Sequence, residues 1–261
     1  MSKETKKRPE TAFEFLVNAT LAAEKLRIAA QNRNTHLAKQ DKEDPTTQKI
    51  YNDIKGLEDF IDGELVTKVE AHPASYWFSK VKGVGGENIA KVLGSIRIKP
   101  DPDDPKKGYA KSVSGLWKFA GFSVENGKSS TPKKGKKNPY NKTLRTMCWR
   151  LASSLMRARG KYYEYFTNQK DRYKARFIRD GYNIIPASEL PVDERDKHYE
   201  PEGVISEGHV MNMALRKMIK LFLSHLWVVW REIENLPISK PYAQEKLGHD
   251  SYMNPWDFVD K

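Results

Sequence analysis

The periodicity of the apolar residues between Asp44 and Val69 constrains the fold of this chain more than any other feature of its sequence. Asp44 is suited to cap a helix, and Pro45 fits the first turn that follows. Apolar residues then recur at steps of three and four, the spacing of one helical face. The preceding segment, 10–39, has the same period, so we expect an antiparallel helical hairpin over 10–75, with a dimerising coiled coil as the alternative. The apolar seam of the second helix comprises Ile50, Ile54, Leu57, Ile61, Leu65 and Val69.

The rest of the chain also predicts helices, and strict period-two alternation is almost absent. A short helix is expected over 112–122, with Ser112 or Ser114 as its cap, a long one from Tyr140 to about Phe177, and a last one over 208–234. The segment "GSIRIKP" is the one hint of a strand. We therefore predict a mainly α fold. The positions expected to face inward are Leu144, Met147, Leu151 and Leu155 in the long helix, and Leu215, Met218, Phe222, Leu226 and Ile233 in the last one.

The charge of the chain favours polyanions as partners. The net charge is +12 and the sequence pI is about 9.5. A surplus of this size attracts polyanions through long-range electrostatics and counterion release. Nucleic acid is favoured over an anionic membrane surface, because no basic amphipathic segment stands out as an anchor.

The composition predicts an intracellular protein without a disulfide. Cys148 is the one cysteine, and a single cysteine is typical of a reducing compartment. The first residues lack the apolar run of a secretory signal, and the most apolar window, "MIKLFLSHLWVVW", is too short to span a membrane. We expect a cytoplasmic, nucleoid-associated location. The six histidines show no metal-ligand spacing, and His225 is expected to be a packed or surface histidine.

The glycine-rich stretch Gly83-Val84-Gly85-Gly86 lies between two apolar segments. Glycine permits a tight turn and a close approach of the backbone, and the unsatisfied N–H groups at the start of a following helix favour anions. This combination is typical of a helix-hairpin-helix motif that holds a DNA phosphate; the alternative is an ordinary turn between packed helices. The residues predicted to contact DNA here are Lys80, Lys82, Gly83, Gly85 and Gly86.

A strongly basic loop, "KSSTPKKGKKNPYNKTLR", begins at residue 128. It contains no acidic residue, and like charges at this density repel one another unless an anion is bound. The loop therefore indicates contact with a nucleic-acid backbone, with a solvated lysine-rich loop as the alternative. The residues predicted to bind DNA are Lys128, Lys133, Lys134, Lys136, Lys137, Lys142 and Arg145.

The order of these motifs resembles the C-terminal part of the insertion-sequence 110 class of transposases. The matching segments are "GVGGENIAKVL", "FAGF", "KSSTPKKGKK" and "NKTLR", and the resemblance covers roughly residues 10–235. It implies DNA transposition or recombination, with a serine of the basic loop as the nucleophile that attacks the DNA strand. That serine falls on Ser129, with Ser130 as the alternative.

In the family, this serine works with an N-terminal RuvC-like domain whose acidic residues bind magnesium. Such a domain is not part of this sequence, so we expect no cofactor in this chain and Mg²⁺ only with a RuvC-like partner domain on a separate chain. The resemblance also implies DNA as a partner and, in some members, a structured guide RNA. A homo-oligomer formed through the N-terminal helices is expected as well.

The predicted organisation and function follow from these motifs. We expect a basic tail over 1–9, the helical hairpin over 10–75, a DNA-binding domain with the helix-hairpin-helix and serine loop over 76–180, an irregular loop over 181–207, and a final helix and tail over 208–261. The predicted function is transposase-like DNA binding, with Ser129 supplied for strand cleavage. The alternatives are an inactive, derived protein that binds DNA or structured RNA, and an interaction scaffold.

Overall fold

The fold of this chain is mainly α-helical, as the helical periodicity predicts. A computed structural model describes residues 11–100, 109–125, 128–238 and 253–260. The helices are α1 (Ala12–Ala38), α2 (Pro45–Glu70), α3 (Ser75–Phe78), α4 (Gly86–Leu93), α5 (Val113–Phe119), α6 (Lys142–Ala158), α7 (Lys161–Arg179) and α8 (Glu207–Ile233). Strands β1 (Val124–Glu125) and β2 (Lys128–Ser129) pair antiparallel, and β3 (Asn183–Ile185) and β4 (Val204–Ser206) pair parallel, with Ile184 opposite Ile205.

The chain divides into two compact units, and the division falls inside the glycine turn. Unit 1 consists of Met1–His72 and Gly85–Arg97, and unit 2 of Pro73–Val84 and Ile98–Lys261. Helix α4 thus belongs with the hairpin, although the sequence analysis assigns it to the DNA-binding domain. The two flanks of the turn lie in different units, and the helix-hairpin-helix motif stays a prediction.

Unit 1 is built on the predicted hairpin of α1 and α2. Thr11 and Glu14 form a capping box at the start of α1. Asp44 caps α2 by accepting a hydrogen bond from the backbone N–H of Thr46, with Pro45 in the first turn as predicted. The helix ends of the hairpin are therefore encoded locally, by side chains that satisfy the first free N–H groups.

The apolar seam of α2 is buried only at its C-terminal end. Ile61, Leu65 and Val69 are buried as predicted, but Ile50 and Leu57 are 43% and 48% exposed. The reason is polar packing in the outer half of the hairpin. Thr47 and Glu58 occupy the buried positions there, where Thr47 accepts a hydrogen bond from Arg33 and Glu58 forms an ion pair with Arg27. The seam prediction is thus wrong for the outer half.

Helix α4 packs closely against the hairpin of unit 1. Its apolar face is buried, as expected for Ile89, Ala90, Val92 and Leu93. A Cβ at Gly86 would lie 3.2 Å from Cγ2 of Val66 on α2. The ammonium group of Lys91 lies 3.6 Å from Oδ1 of Asp62, and both side chains are largely buried. This lysine therefore forms an ion pair inside unit 1.

The segment Gly94–Pro100 forms no strand, which makes the one strand hint in the sequence wrong. Ile96 and Ile98 are buried, whereas Arg97 between them pairs with Glu14 at the start of α1. The alternation of apolar and charged residues therefore arises from the packing of an irregular segment and not from a strand.

Unit 2 contains α5 to α8, and the prediction of one long helix from Tyr140 to about Phe177 is wrong. The segment from Tyr140 to Phe177 forms two helices, because Arg159 adopts a left-handed backbone conformation with φ of 52° and Gly160 then begins α7. Leu144, Met147, Leu151 and Leu155 are nevertheless buried as predicted. The predicted short helix is present as α5, and Ser112 caps it by accepting a hydrogen bond from the N–H of Gly115.

Helix α8 is the most deeply buried element of unit 2. All its residues from Phe222 to Val229 are buried, and the predicted inward positions Leu215, Met218, Phe222 and Leu226 lie in the core. Ile233 is 45% exposed, contrary to prediction, because α8 ends at this residue. Among the residues that the structure describes, no helix is long and apolar enough to span a membrane.

Residues 253–260, here called the docking segment, pack against the core of unit 2. The indole N–H of Trp77 donates a hydrogen bond to the carbonyl of Pro255 at 3.0 Å. The ring of Phe258 lies 5.1 Å from that of Tyr162 and 4.9 Å from that of His225. These contacts anchor a segment that the sequence analysis left unassigned.

His225 is a packed histidine, as predicted, and its environment fixes its tautomer. Nε2 lies 3.1 Å from the carbonyl oxygen of Met253 and must donate to it, so Nδ1 accepts from the hydroxyl of Tyr162 at 2.7 Å. Burial lowers the pKa of His225 to about 4, and the hydrogen bond to Met253 opposes that shift. The ring is therefore neutral in the folded protein at neutral pH.

The low pKa of His225 predicts a loss of stability in mild acid. Below about pH 6.5 the imidazole of His225 is protonated in the unfolded state, whereas in the folded state it is protonated only below about pH 4. The free energy of unfolding should thus fall by up to about 3 kcal/mol across this window. His225→Gln keeps one donor and one acceptor but does not titrate, so urea unfolding at pH 7 and pH 4.5 should show a smaller loss for this variant. His36→Gln, on the exposed part of α1, should behave like wild type; an identical pH profile in the His225 variant would contradict the assignment.

Candidate nucleic-acid interface

The basic loop presents its lysines to solvent. Lys133, Lys134, Lys136 and Lys137 are all exposed, and none of them pairs with a carboxylate within the described ranges. Gly135 turns the loop with φ of +75° and has open space around it, and the N–H of Lys136 donates to the carbonyl of Lys133. The side chain of Lys128 lies outside what the structure describes. The loop is thus a group of exposed positive charges on a short turn.

Lys142 and Arg145 extend this basic surface onto α6. Lys142 is exposed in the first turn of the helix, where the helix dipole disfavours a cation. The guanidinium of Arg145 donates to the carbonyl of Gly121 and lies 4.9 Å from the ring centroid of Tyr140. Arg145 is therefore held in place, in contrast to the loop lysines.

Ser129 and Ser130 lie at the end of the small β1–β2 hairpin. Ser129 is the β2 partner of Val124, and the hydroxyl of Ser130 lies 3.4 Å from that of Ser123. Both serines are half-buried. Neither hydroxyl contacts a histidine or carboxylate among the side chains that the structure describes, and a serine nucleophile needs a group that removes its proton.

The three glycines of the predicted phosphate cradle have different environments. Gly83 has φ of +88°, and a Cβ there would lie 2.8 Å from both the Cβ of Ala158 and the carbonyl oxygen of Ser154. Gly83 therefore serves close packing on α6. Gly86 packs on α2, and Gly85 is exposed with open space around it at the cap of α4. Of the three glycines predicted to contact a phosphate, Gly85 is thus the one with free space around it.

A carboxylate of the chain itself binds the backbone N–H of Lys82. Oδ2 of Asp260 accepts from the backbone N–H of Lys82 at 2.8 Å, and Oδ1 accepts from that of Lys161 at 2.9 Å. Lys161 is the first residue of α7, where the helix dipole favours negative charge. A Cβ at Gly160 would lie 2.7 Å from these oxygens. In unit 2, the N–H of Lys82 at the start of the turn is therefore already bound by the docking segment.

The side chain of Lys80 is also engaged within unit 2. Its ammonium group donates to the hydroxyl of Tyr76 at 2.9 Å and lies 4.1 Å from the ring centroid. The side chain of Lys82 is exposed. Lys82 is thus the freer cation of the two predicted near the turn.

Unit 2 also contains a group of cations that the sequence analysis missed, apart from Arg145. They come from three helices, α6, α7 and α8, and α5 contributes the ring of Trp117 beside them. The ammonium of Lys220 lies 4.0 Å from the centroid of Trp117, and that of Lys217 lies 5.7 Å from the ring of Tyr173. We call this group the cationic cluster; its members are Arg145, Arg172, Arg176, Arg216, Lys217 and Lys220.

The cations of the cluster raise one another's electrostatic energy. Burial, followed by the charges of Arg216 and Lys217, lowers the pKa of Lys220 to about 8. Burial and the charges of Arg172 and Arg176 lower the pKa of Lys217. Repulsion of this kind disappears when an anion binds, so the cluster is suited to hold a negatively charged group.

No sequence pattern reveals this cluster, because its members are far apart along the chain. Arg145 precedes Arg216 by two helices, and the cations of α7 and α8 alternate with acidic and apolar residues. The signal that was available is the one-turn spacing of Arg172 and Arg176 and of Arg216 and Lys220, each of which places two cations on one helical face.

The bond between Asp260 and the two backbone amides predicts a stabilising role for the docking segment. Asp260→Ala leaves the N–H groups of Lys82 and Lys161 without this acceptor, and loss of such a cap costs about 1 kcal/mol. Urea unfolding should show this decrease. Asp257→Ala removes the same charge from an exposed position of the same segment and should change stability by less than half as much; equal losses would refute the capping role.

Comparisons with protein-family models, with curated proteins and with solved structures found no match to this chain. In the part of the chain that the structure describes, no group of three or more His, Cys, Asp or Glu side chains is placed to hold a metal ion. The candidate interface consists of the exposed loop lysines and the cationic cluster.

Proposed function

We propose that this chain binds the phosphate backbone of DNA and acts in transposition or recombination, as its resemblance to transposases implies. The observation that carries the proposal is the cationic cluster. Six positive side chains lie together on three helices, and no carboxylate pairs with any of them among the described residues. Together with the net charge of +12, this arrangement favours a polyanion as the partner.

Other cations of the chain contrast with the cluster. Arg27, Lys91 and Arg97 of unit 1 pair with Glu58, Asp62 and Glu14. Arg231, buried in unit 2, donates to the carbonyls of Pro237 and Ile98 at 2.8 Å each. These cations are bound to carboxylates or carbonyl oxygens of the fold, whereas the cluster holds like charges together, which costs electrostatic free energy. A bound anion explains that cost.

The aromatic rings near the cluster favour backbone contact over base stacking. Cations already lie over the rings of Trp117, Tyr140 and Tyr173, at 4.0 to 5.7 Å from their centroids. Bases would have to displace these cations in order to stack. We therefore expect binding that depends on phosphates and is largely independent of base sequence.

The basic loop supports the same proposal through a second, exposed set of charges. Lysines on a short turn can follow the backbone without fixed geometry, and they add counterion release to the contacts of the cluster. A guide RNA and a RuvC-like partner chain remain predictions of the resemblance. The alternative, an inactive derived protein, shares the backbone binding and differs only in the role of Ser129.

Backbone binding predicts a steep dependence of affinity on salt. Replacing Lys133, Lys134, Lys136 and Lys137 by Gln should reduce the slope of log K against log salt by up to about 3 to 4 for duplex DNA. Arg172→Gln with Arg176→Gln, both at exposed positions, should reduce it by up to about 2. The affinity is measured by fluorescence anisotropy over a range of salt concentrations.

A matched control removes four exposed lysines of unit 1, Lys25, Lys39, Lys42 and Lys49. This variant has the same net charge as the loop variant, so a purely global effect of charge would lower both slopes equally. A slope that changes in neither the loop variant nor the α7 variant would refute the proposed interface.

The nucleophile is tested with Ser129→Ala and, separately, Ser130→Ala. In a strand-cleavage assay with Mg²⁺ and the acidic nuclease domain that the resemblance predicts, Ser129→Ala should abolish cleavage and Ser130→Ala should retain it. DNA affinity should stay unchanged in both, since neither serine carries charge. Cleavage that persists in both variants would refute the nucleophile assignment, whereas absence of cleavage with the wild type would favour the inactive, derived protein.

A further inference from the structure

The cationic cluster brings positive charges of three helices close enough to act on one another. Arg172 and Arg176 lie one turn apart on α7, and Arg216 and Lys220 lie one turn apart on α8, a rise of about 6 Å in each case. One DNA strand presents about one phosphate per 3.4 Å of its axis, so about two singly charged phosphodiesters span that length. Arg145 and Lys217 add further positive charge beside these two pairs, so the cluster suits a ligand with a denser negative charge than a single phosphodiester.

The position of two cluster members favours a ligand that reaches inward. Arg216 and Lys220 are half-buried, and the buried Nε atom of Arg216 has no hydrogen-bond partner among the residues that the structure describes. A buried donor without a partner is costly. An internal phosphodiester has a sugar on both sides, whereas a terminal phosphate has one and presents three acceptor oxygens. A terminal phosphate thus reaches a half-buried guanidinium more easily.

Three cations of the cluster also lie against aromatic rings before any ligand arrives. The indole N–H of Trp117 donates to the backbone carbonyl of Lys220 at 3.0 Å, while the ammonium of Lys220 lies over the same indole ring. Tyr173 lies between two further members, with its ring centroid 5.2 Å from the guanidinium of Arg176 and 5.7 Å from the ammonium of Lys217. Cations that are fixed in this way lose little freedom on binding, which strengthens the site.

We propose that the cationic cluster binds the terminal phosphomonoester of a nucleic-acid strand, so that the protein recognises strand ends in addition to the backbone. This inference rests on the proposed function, because the loop lysines would hold the adjoining backbone. Free inorganic phosphate and pyrophosphate present the same chemistry as a strand end. Competition with these two anions separates the two sources.

The first test compares one duplex of fixed sequence with 5′-phosphate, 3′-phosphate or hydroxyl ends. The wild-type protein should bind at least one phosphorylated form about tenfold more tightly than the hydroxyl form, since charge-assisted bonds to an extra charge are strong. Equal affinity for all three forms would overturn the strand-end site and leave backbone binding intact. Failure to bind any of the three would refute the proposed function itself.

Competition identifies the natural source of the phosphate. Inorganic phosphate and pyrophosphate should displace the phosphorylated duplex only weakly, because they lack the backbone that the loop contacts. If either anion binds as tightly as the phosphorylated duplex, the cluster is a site for a free phosphate compound, and the strand-end proposal is wrong.

Two variants separate the cluster from the loop. Arg216→Gln should abolish the preference for phosphorylated ends, because it should weaken binding of the phosphorylated duplexes more than binding of the hydroxyl duplex. The loop variant, with Lys133, Lys134, Lys136 and Lys137 replaced by Gln, should weaken binding to all three duplexes and keep the preference. Circular dichroism checks that both variants are folded; Lys217→Gln, at an exposed position, replaces Arg216→Gln if the latter is not. An unchanged preference in a folded cluster variant would refute the assignment.

The pH dependence of the preference gives a readout that a merely structural role would not change. The charged groups that act on Lys220 are Arg216 and Lys217 on its own helix. Arg145 on α6 acts in turn on Arg216, and Arg172 and Arg176 on α7 act on Lys217; Trp117 on α5 does not titrate. Only the protonated ammonium attracts the phosphate, so the preference should fall between pH 7 and pH 9 as Lys220 loses its proton near its pKa of about 8. The phosphomonoester stays a dianion throughout this range.

Lys220→Arg keeps the charge but does not titrate below about pH 12. This variant should keep the preference for phosphorylated ends at pH 7 and hold it to pH 9. A decline as steep as that of the wild type would show that another group titrates, and would remove Lys220 from the site.

Discussion

The burial of α8 is the constraint on which unit 2 depends. Every residue from Phe222 to Val229 is buried, and burial of large apolar side chains is the main favourable term in folding. Because the helix is fixed at this end, the turns that precede the buried run cannot rotate. Arg216, Lys217 and Lys220 are carried with them to one place, where Trp117 holds the backbone carbonyl of Lys220. The apolar core thus supplies the free energy that keeps like charges together.

Much of the fold was predictable because it is encoded locally. Asp44 with Pro45, Ser112 and the heptad-like seam each determine a helix end or a helical face through contacts with near neighbours in sequence. The break at Arg159 and Gly160 was missed for the opposite reason. Gly160 is needed because the carboxylate of Asp260, a hundred residues later, lies where a Cβ would be, and helical periodicity alone does not reveal such a partner.

The candidate site was predictable where its charges are consecutive and unpredictable where they are not. The basic loop is apparent from the sequence, since Lys133, Lys134, Lys136 and Lys137 are interrupted only by Gly135. The cluster combines residues from three helices, and only the packing of α7 against α8 brings Arg176 and Lys217 to the same ring, that of Tyr173. The glycine turn shows the reverse case. Gly83 has the positive φ that suits a tight turn, but Ala158 and Leu155 occupy the space beside it.

The two sets of cations differ in the physics by which they would hold DNA. Loop lysines keep their hydration and freedom, so they attract a backbone from a distance but discriminate little between phosphates. Cations that are half-buried have already lost part of their hydration, and they gain more from each contact with an anion. The folded protein bears the cost of this desolvation before binding. A site of that kind would select by charge density and reach, which an exposed loop cannot do. Under the proposed function, the loop would capture the backbone and the cluster would recognise a particular phosphate.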